Sequence, residues 1–311
     1  MNLQQLEYIV AVDTHRHFVK ASEACFVTQA TLSMMIRKLE DELGVVIFDR
    51  NKKPVLPTEP GKEIILRARR ILNETSQLKN LAKQEKGIVK GELKIGIIPT
   101  IAPYLLPMFL DKFIRTYPEV KLVINELTTS NITDHLKHDK LDAAILATPL
   151  NIPSFTENVL YYEKYHLYVS GKDNYYNKKY VLSKDIRADE LLLLQEGHCM
   201  RNQVLNFCEL KKGHESEERV EYEAGSIETL INLVDKNMGI TIIPELASTQ
   251  FSKSRLSQIR YFRNPVPVRE ISLVTHRDVV KINLVNALVK VIQNCIPDNM
   301  KEKGRAEVLD V

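Results

Sequence analysis

The period of the hydrophobic pattern changes near residue 90, and this change limits the possible folds more than any other feature of the chain. Before it, apolar residues recur every three or four positions, which is typical of amphipathic helices. After Gly91, short apolar runs alternate with helical segments, which favours an α/β sheet with helices on both faces. Because 311 residues also exceed the size at which one core keeps growing, we expect at least two folded units.

The N-terminal part predicts three helices. Two of them are indicated by apolar residues at helical spacing: Leu3, Leu6, Ile9 and Val10 in the first, Ala21, Ala24 and Cys25 in the second. Thr28 can cap a third helix, and Gly44 supplies the left-handed residue that ends it. Four apolar side chains of this third helix should pack inward: Leu32, Ile36, Leu39 and Leu43.

The other side of the third helix is polar and basic. The residues near its start or on its outer side are Gln29, Thr31, Ser33, Arg37 and Lys38. Short polar residues followed by cations suit a recognition helix that enters the DNA major groove. An ordinary solvated helix face has the same composition, so the periodicity alone leaves both interpretations open.

A short hairpin is predicted directly after this helix. Residues 45–48 are apolar like a strand, and Val55 with Leu56 would form the returning partner. The tip between them contains Asp49, Arg50, Asn51, Lys52, Lys53 and Pro54. Three cations at such a tip are typical of a wing that contacts the phosphate backbone, although a merely soluble turn is the alternative.

Residues 21–61 carry a series of short motifs. These are Thr-Gln-Ala-Thr-Leu-Ser at 28–33, Leu-Glu-Asp-Glu-Leu-Gly at 39–44, and Phe48, Arg50, Thr58 and Gly61. Together they resemble the winged helix-turn-helix of the LysR-type transcription regulators. Thr28, where serine is usual, and Pro57 in the wing depart from the family pattern without removing a group that binding requires. The resemblance implies a bacterial regulator of promoter DNA rather than an enzyme.

Residues 59–84 predict one long helix. Its apolar residues are Ile64, Leu66, Ile71, Leu72, Leu78 and Leu81, and Gly87 and Gly91 follow it. A helix of about 26 residues is long for a globular protein, which points to a partner helix on its apolar stripe. We interpret it as a dimerising linker that would place two recognition helices on a pseudo-palindromic site. The sequence leaves a homodimer and a homotetramer both open.

Beyond Gly91 the pattern predicts a strand, helix, strand, helix and strand at residues 93–98, 105–116, 121–127, 132–138 and 143–146. A second group follows at residues 165–169, 191–194, 199–210, 227–236 and 239–243, and residues 271–275 and 279–295 return to the first. LysR-type regulators resemble this plan, which implies two Rossmann-like, periplasmic-binding-protein-like subdomains with a crevice between them. Thr100, Thr128 and Thr129 follow strand ends and would lie there, although helix capping is the more general explanation for such threonines.

The segment 196–208 is the most informative part of this half. Gly197 ends a loop, which puts Cys199 at the start of the next helix. Free backbone N–H groups and the helix dipole there favour a thiolate, and His198 and Arg201 can add hydrogen bonds or positive charge. A cysteine that merely packs in the core would be inert.

Cys208 follows Cys199 by nine positions. On a single helix the two residues would lie on opposite faces and about 13 Å apart along the axis, whereas a disulfide requires Cα atoms within roughly 7 Å. A bridge between them therefore requires the helix to unwind.

Further motifs extend the resemblance over almost the whole chain: Gly-His-Cys at 197–199, Phe-Cys at 207–208, Ser226, Glu-Thr-Leu at 228–230, Gly-Ile-Thr at 239–241 and Pro244. They are similar to the hydrogen peroxide-sensing members of the LysR-type family. The resemblance implies that peroxide oxidises Cys199, that Cys208 then forms a reversible disulfide with it, and that glutaredoxin or thioredoxin reduces the bridge.

The same resemblance implies a peroxide pocket formed by Thr100, Thr129, His198 and Arg269. Arg263 and Arg277 are close enough in sequence to compete with Arg269 for its place. From the residues alone, His198 is equally well explained as a loop histidine bonded to backbone.

The expected organisation is a DNA-binding domain at residues 1–58, a linker helix at 59–90, a regulatory domain at 91–300 and a tail at 301–311. Within the regulatory domain, one subdomain comprises residues 91–163 and 267–300, and the other comprises 164–266. Residues 1–90 hold 15 lysines and arginines against 11 aspartates and glutamates, a small excess that suits an anionic partner.

The composition also argues against a membrane protein, a metal site and a cofactor site. No apolar run suits a membrane span or signal peptide, so we expect a cytoplasmic protein without a membrane partner. The 4 cysteines and 8 histidines show no metal-ligand spacing, and the 11 glycines form no phosphate-binding loop, so neither metal nor cofactor is expected. Cys25 and Cys295 are assigned to packing.

Two other functions compete with peroxide sensing. One is a LysR-type regulator whose crevice binds a small-molecule metabolite while the cysteines are incidental. The other is a thiol peroxidase, against which the helix-turn-helix and linker argue because a scavenger would not need them.

Overall fold

The computed structural model describes residues 1–50, 52–84, 89–209, 224–263, 265–277, 279, 281–304 and 306–310, excluding the side chains of residues 73, 76, 77 and 79–84. The chain divides into two compact units, Met1–Ile88 and Val89–Val311. Asn51, Gly87 and Leu210, which figure in the expectations above, lie outside the described residues.

The first unit is mainly helical. In chain order its elements are α1 (Leu3–His15), α2 (Phe18–Ala24), α3 (Gln29–Leu43), β1 (Phe48–Asp49), β2 (Leu56–Pro57) and α4 (Glu59–Gln84). Strands β1 and β2 pair antiparallel as a small wing. The three-helix and wing prediction is confirmed, and its core comprises fully buried side chains from α1, α3 and the wing.

Helix α3 begins and ends where the sequence predicts. The Thr28 hydroxyl accepts a hydrogen bond from the Thr31 N–H at 3.2 Å, and Gly44 has a φ of 66°. Leu32, Ile36 and Leu39 are 0 % exposed. The expectation for Leu43 is wrong, because this last residue of the helix is 39 % exposed where the chain turns away at Gly44.

The first wing strand is shorter than the sequence predicts. Of residues 45–48, only Phe48 pairs with β2. The buried carboxylate of Glu40 accepts the N–H groups of Ile47 at 2.8 Å and Phe48 at 3.3 Å, and Val46 is 62 % exposed. The Glu40 side chain therefore provides the hydrogen bonds that a neighbouring strand was expected to provide for these two N–H groups.

Helix α4 has the bounds that the sequence predicts. Ile65 and Ala68 pack into the core of the first unit, whereas Ile71 is 41 % and Leu78 is 69 % exposed. Ile71 and Leu78 are thus two apolar side chains that their own unit leaves uncovered, as is expected of a linker helix with a partner.

The second unit alternates strands and helices. Its strands are β3 (Gly91–Ile97), β4 (Val120–Glu126), β5 (Ala143–Thr148), β6 (Phe155–Tyr168), β7 (Tyr180–Val181), β8 (Leu191–Leu192), β9 (Ile240–Pro244), β10 (Ile259–Phe262), β11 (Pro267–His276) and β12 (Glu307–Val308). Its α-helices are α5 (Ala102–Thr116), α6 (Thr129–Lys137), α7 (Cys199–Phe207), α8 (Ile227–Asp235), α9 (Glu245–Ser248), α10 (Lys253–Leu256) and α11 (Ile282–Gln293). Short 3-10 helices lie at Ser183–Asp185, Ala188–Glu190 and Asp298–Met300.

The sheet of this unit is mixed rather than mostly parallel, which corrects the expectation. Its main path runs β4-β3-β5-β11-β6-β10-β7. Strand β3 is parallel to β4 and β5, but β11 is antiparallel to both β5 and β6. The antiparallel pairs arise because β6 and β11 carry the chain between the two halves of the unit.

Strand β6 changes partners along its length. Residues 155–164 pair with β11, and residues 165–168 pair with β9 and β10. The sequence predicts only the second part, residues 165–169, and does not predict β7, β10 or β12. These strands contain two to four residues each, which is too short for a clear hydrophobic period.

Among the described residues, no helix combines the length and apolar character needed to cross a membrane.

Candidate functional site

The two cysteines singled out above lie at opposite ends of α7. Cys199 is its first residue, after Gly197 with a φ of 93°, and Cys208 is the residue that caps its end. Both are free thiols, and they are 8 % and 4 % exposed. The prediction that Cys199 starts a helix is therefore confirmed, although the helix ends at Phe207.

The surroundings of Cys199 act on its thiol in opposite directions. Burial raises the pKa of Cys199, while Arg269, the Thr129 hydroxyl and the Met200 N–H lower it. The backbone N–H groups at the helix start thus favour the thiolate, as the sequence predicts, but the net direction of the pKa shift is upward. Desolvation outweighs the backbone dipoles because the sulfur is almost completely enclosed.

The cation beside Cys199 is Arg269, on β11. Its side chain is 1 % exposed, and its guanidinium donates to the Thr100 hydroxyl and the Thr100 carbonyl, both at 3.0 Å. Arg263 and Arg277 are both exposed. Arg269 is therefore the buried arginine of the three, and it lies together with Thr100 and Cys199.

Arg269 is held in place by Glu163, which the sequence analysis missed. Its Nε donates to Glu163 Oε1 at 2.6 Å, and the other carboxylate oxygen accepts the Leu246 N–H at 3.2 Å. Burial alone would lower the pKa of Arg269, but the carboxylate raises it above its ordinary value, so the guanidinium stays charged. Glu163 and Arg269 face each other across the β6–β11 pair. A single sequence does not reveal which strands pair, so it could not identify Glu163 as this partner.

Of the three threonines expected in the crevice, Thr100 and Thr129 are not helix caps. Thr100 accepts from Arg269, and Thr129 is the first residue of α6. The Thr129 hydroxyl is buried with no well-formed hydrogen bond in the described structure, and its proximity to Cys199 lowers the pKa of that thiol. Thr128 occupies the cap position but makes no side-chain capping bond.

His198 and Arg201 do not supply charge to the thiol. Burial lowers the pKa of His198, so its ring is neutral at neutral pH. The Arg201 guanidinium donates to the Leu194 carbonyl at 2.8 Å and thereby ties α7 to the segment after β8. Both residues lie beside Cys199 in sequence, but the cation that acts on it comes from β11.

A buried amide anchors the middle of α7. Gln203 is 0 % exposed, and its carboxamide accepts from the Tyr165 hydroxyl at 2.7 Å and donates to the Leu309 carbonyl at 3.0 Å. Leu309 in turn donates its N–H to the Val268 carbonyl at 2.9 Å. The cysteine helix is therefore bonded to β6 and to the C-terminal segment that lies beside β11.

The first unit contains the candidate nucleic-acid surface. Six of the eight residues expected there are exposed: Gln29, Thr31, Arg37, Lys38, Lys52 and Lys53. Met34, on the same helix, is 63 % exposed, and Phe26, in the turn before it, is 95 % exposed. The sequence analysis missed these two apolar residues because it looked for polar and cationic groups.

The other two expected DNA contacts, Ser33 and Arg50, bond to each other. Arg50 donates to Ser33 Oγ at 3.0 Å and to Glu40 Oε2 at 2.9 Å, and its guanidinium lies 5.2 Å from the centre of the Phe18 ring. These contacts hold the wing against α3. In this conformation the two side chains connect parts of their own unit while remaining partly exposed, and their role as DNA contacts stays a prediction.

Family comparisons match both units. The model described as "Bacterial regulatory helix-turn-helix protein, lysR family" matches residues 3–62, and the model described as "LysR substrate binding domain" matches residues 86–295.

Individual relatives agree with this match. A hydrogen peroxide-inducible genes activator of Pectobacterium carotovorum is 38 % identical over 275 residues, 88 % of this chain and 90 % of that protein. The dual regulator OxyR of Escherichia coli K12 is 39 % identical over 247 residues, 79 % of this chain and 80 % of its own. Full-length OxyR of Pseudomonas aeruginosa with a cysteine-to-aspartate substitution is similar with a TM-score of 0.79 and 32 % identity, covering 95 % of this chain and 99 % of that one.

These relatives are regulators of transcription, not enzymes. The chain belongs to the LysR family of helix-turn-helix transcription regulators.

Proposed function

We propose that this regulator senses hydrogen peroxide through Cys199 and that a reversible disulfide with Cys208 changes its binding to promoter DNA. The observation that carries the proposal is the position of Cys199, a buried thiol at the start of α7 beside the enclosed guanidinium of Arg269. The names of relatives at 38–39 % identity support the same signal.

The first step is a two-electron oxidation. The Cys199 sulfur attacks one oxygen of hydrogen peroxide, the O–O bond breaks, and the products are a sulfenic acid and water. Negative charge develops on the departing hydroxide until it takes the proton released by the thiol. Arg269, Thr100, Thr129 and His198 would surround this oxygen with donors that stabilise the charge as it forms.

The second step joins the two sulfurs. The Cys208 thiol displaces the hydroxyl of the sulfenic acid, which leaves as water and completes the disulfide. With Cys199 and Cys208 at opposite ends of α7, closure requires that helix to unwind. Refolding of α7 is therefore the conformational signal, and glutaredoxin or thioredoxin would reverse it by reducing the bridge.

The DNA side of the proposal uses the first unit. Gln29 and Thr31 at the start of α3 would reach base edges, while Arg37, Lys38, Lys52 and Lys53 would contact phosphates. Ser33 and Arg50, which bond to each other between α3 and the wing, would complete the DNA contacts. A homodimer through α4, assembled further to a homotetramer, would bind the pseudo-palindromic promoter and contact RNA polymerase in the cytoplasm to activate oxidative-stress genes.

Mass spectrometry of non-reduced peptides tests the redox step. After brief treatment with equimolar peroxide, we expect one intramolecular bridge between Cys199 and Cys208. Cys208→Ser should stop at the sulfenic acid, and Cys199→Ser should leave all thiols reduced. Cys295→Ser, a half-buried thiol outside α7, is the matched control and should behave as the wild type.

Footprinting on promoter DNA tests the link to transcription. The wild-type footprint should change between reduced and oxidised protein, and the Cys199→Ser footprint should not. If Cys199→Ser still responds fully to the inducing condition in cells, the cysteines are incidental and the crevice binds a metabolite instead.

A further inference from the structure

Two exposed apolar side chains interrupt the polar surface of the helix-turn-helix. Met34, on α3, is 63 % exposed, and Phe26, in the turn between α2 and α3, is 95 % exposed. We propose that these two side chains contact the 5-methyl groups of thymines in the DNA major groove and so make promoter binding depend on those methyl groups. The proposal rests on the DNA binding proposed above and adds the feature of the bases that is read.

Met34 faces away from the core of its unit. It lies two positions, or about 200° around the helix, from both Leu32 and Ile36, which are 0 % exposed. Ala30 lies four positions before Met34 on the same face and is exposed as well. Both residues belong to the first two turns of α3, and the N-terminal residues of a recognition helix are those that reach base edges. The outward face of α3 is therefore apolar where it would meet the bases.

Phe26 is placed at a cost to its own unit. Its φ is 55°, in the left-handed region that bulky side chains rarely adopt, and nearly all of the residue is open to solvent. Neither the backbone nor the packing of the unit favours phenylalanine there, whereas glycine or asparagine would fit this turn without the cost. A contact outside the unit accounts for such a residue.

The chemistry of the major groove identifies the group that is contacted. Base pairs present hydrogen-bond donors and acceptors there, and the 5-methyl group of thymine is the apolar group among them. Arg37 and Lys38, both exposed, follow about one turn after Met34 on α3 and would bind phosphates beside the bases. DNA thus matches both the positive charge and the apolar surface of this helix.

Replacement of thymines in selected DNA tests the proposal. Duplexes that bind the reduced full-length protein are selected from a random pool, and we expect them to share thymines at fixed positions. Deoxyuridine at these positions lacks only the methyl group and should weaken binding roughly fourfold for each methyl group removed. 5-Bromodeoxyuridine, whose bromine has nearly the size of a methyl group, should restore the affinity. Selected duplexes without shared thymines, or equal affinity for the thymine and deoxyuridine duplexes, would overturn the proposal.

Two substitutions assign the effect to these side chains. Met34→Gln keeps the length and helix propensity of the side chain, and Phe26→Asn suits the left-handed turn, so both variants should melt at or above the wild-type temperature. Each should reduce the preference for thymine over deoxyuridine, and the double variant should abolish it. Met238→Gln changes a methionine that is 54 % exposed in the second unit, and this matched control should keep the wild-type preference.

Salt titration separates base contacts from phosphate contacts. Met34→Gln should leave the slope of log affinity against log salt unchanged, whereas Lys38→Gln should reduce its magnitude by about one and keep the thymine preference. If the double variant keeps the wild-type preference for thymine, Phe26 and Met34 do not read the methyl groups and the proposal is wrong. Failure to select any duplex would contradict DNA binding itself, and this proposal with it.

Discussion

The two ends of α7 carry the same side chain in nearly the same degree of burial, yet their chemistry differs. At Cys208, burial raises the thiol pKa to about 12 with no opposing group. At Cys199, burial also raises the pKa, but Arg269, Thr129 and backbone N–H groups counteract it. Burial alone therefore makes a thiol inert, and the charges brought by β11 and α6 distinguish the thiol that can react.

Under the proposed redox mechanism, this difference would determine which of the two thiols reacts first. Peroxide reacts with a thiolate, so the site with a cation is oxidised first. Cys208 gains reactivity only when it leaves its apolar surroundings, which requires α7 to unwind.

Removing the buried ion pair of Arg269 and Glu163 should abolish the higher reactivity of Cys199 toward peroxide. Arg269→Met alone leaves Glu163 unpaired and should lower the free energy of unfolding by about 3–5 kcal/mol. Arg269→Met with Glu163→Leu replaces both charges and should restore most of that stability, yet oxidation of Cys199 by peroxide should slow by about 100-fold.

Urea unfolding gives the stability and stopped-flow trapping of the sulfenic acid gives the rate. Alkylation of Cys208 in the same double variant serves as the control and should keep its wild-type rate. If Cys199 in the double variant were oxidised at the wild-type rate, the Arg269 cation would not be what makes Cys199 more reactive than Cys208.

The rate of Cys199 oxidation should rise with pH. Because the pKa is raised and the thiolate is the nucleophile, the reactive fraction grows about tenfold per pH unit until the pH reaches that pKa. The rise should continue beyond about pH 8.5, the ordinary thiol value. Initial rates measured with the Cys208→Ser variant check this, and a plateau near pH 7 would contradict the raised pKa.

Thr129→Val should have a smaller effect. It removes one donor from the thiol while keeping the shape of the side chain, so we expect oxidation to slow by several-fold to about tenfold. Thr128→Val is the neighbouring control, since its hydroxyl makes no capping bond, and it should leave the rate unchanged. Equal effects of the two substitutions would mean that Thr129 acts through α6 rather than on the sulfur.

Gln203→Leu should affect the second step only. It orphans the Tyr165 hydroxyl and the Leu309 carbonyl, which should weaken the anchoring of α7 by about 1–3 kcal/mol. Disulfide closure should then quicken a few-fold, while sulfenic acid formation is unchanged. Hydrogen exchange at the Leu309 amide monitors the anchor, and the exposed Asn202→Leu is the control; slower closure in Gln203→Leu would contradict this.

Local signals in the sequence were sufficient for α3, α4 and the start of α7, but not for the short strands β7, β10 and β12 or for the charges of the site. The bounds of α4 and the cap at Thr28 follow from periodicity and helix-end chemistry, which act over a few residues. Glu163 could not be inferred as the partner of Arg269, because the two residues meet only through the pairing of β6 with β11. Arg201 misled the sequence analysis for the same reason: proximity along the chain did not imply proximity to the sulfur.

In the proposed mechanism, a sulfenic acid newly formed on Cys199 would have to wait for α7 to open before it reacts with Cys208, because the two sulfurs lie at opposite ends of that helix. During the wait a second peroxide molecule can convert it to the sulfinic acid, which thiol reductants do not reverse. Under the proposed mechanism the lifetime of α7 would set an upper dose. At low peroxide the bridge would close first and the sensor would reset, and at high peroxide the sensor would be lost. A helix that opened more slowly would lower that dose, so the strength of the Gln203 and Arg201 anchors would set the working range.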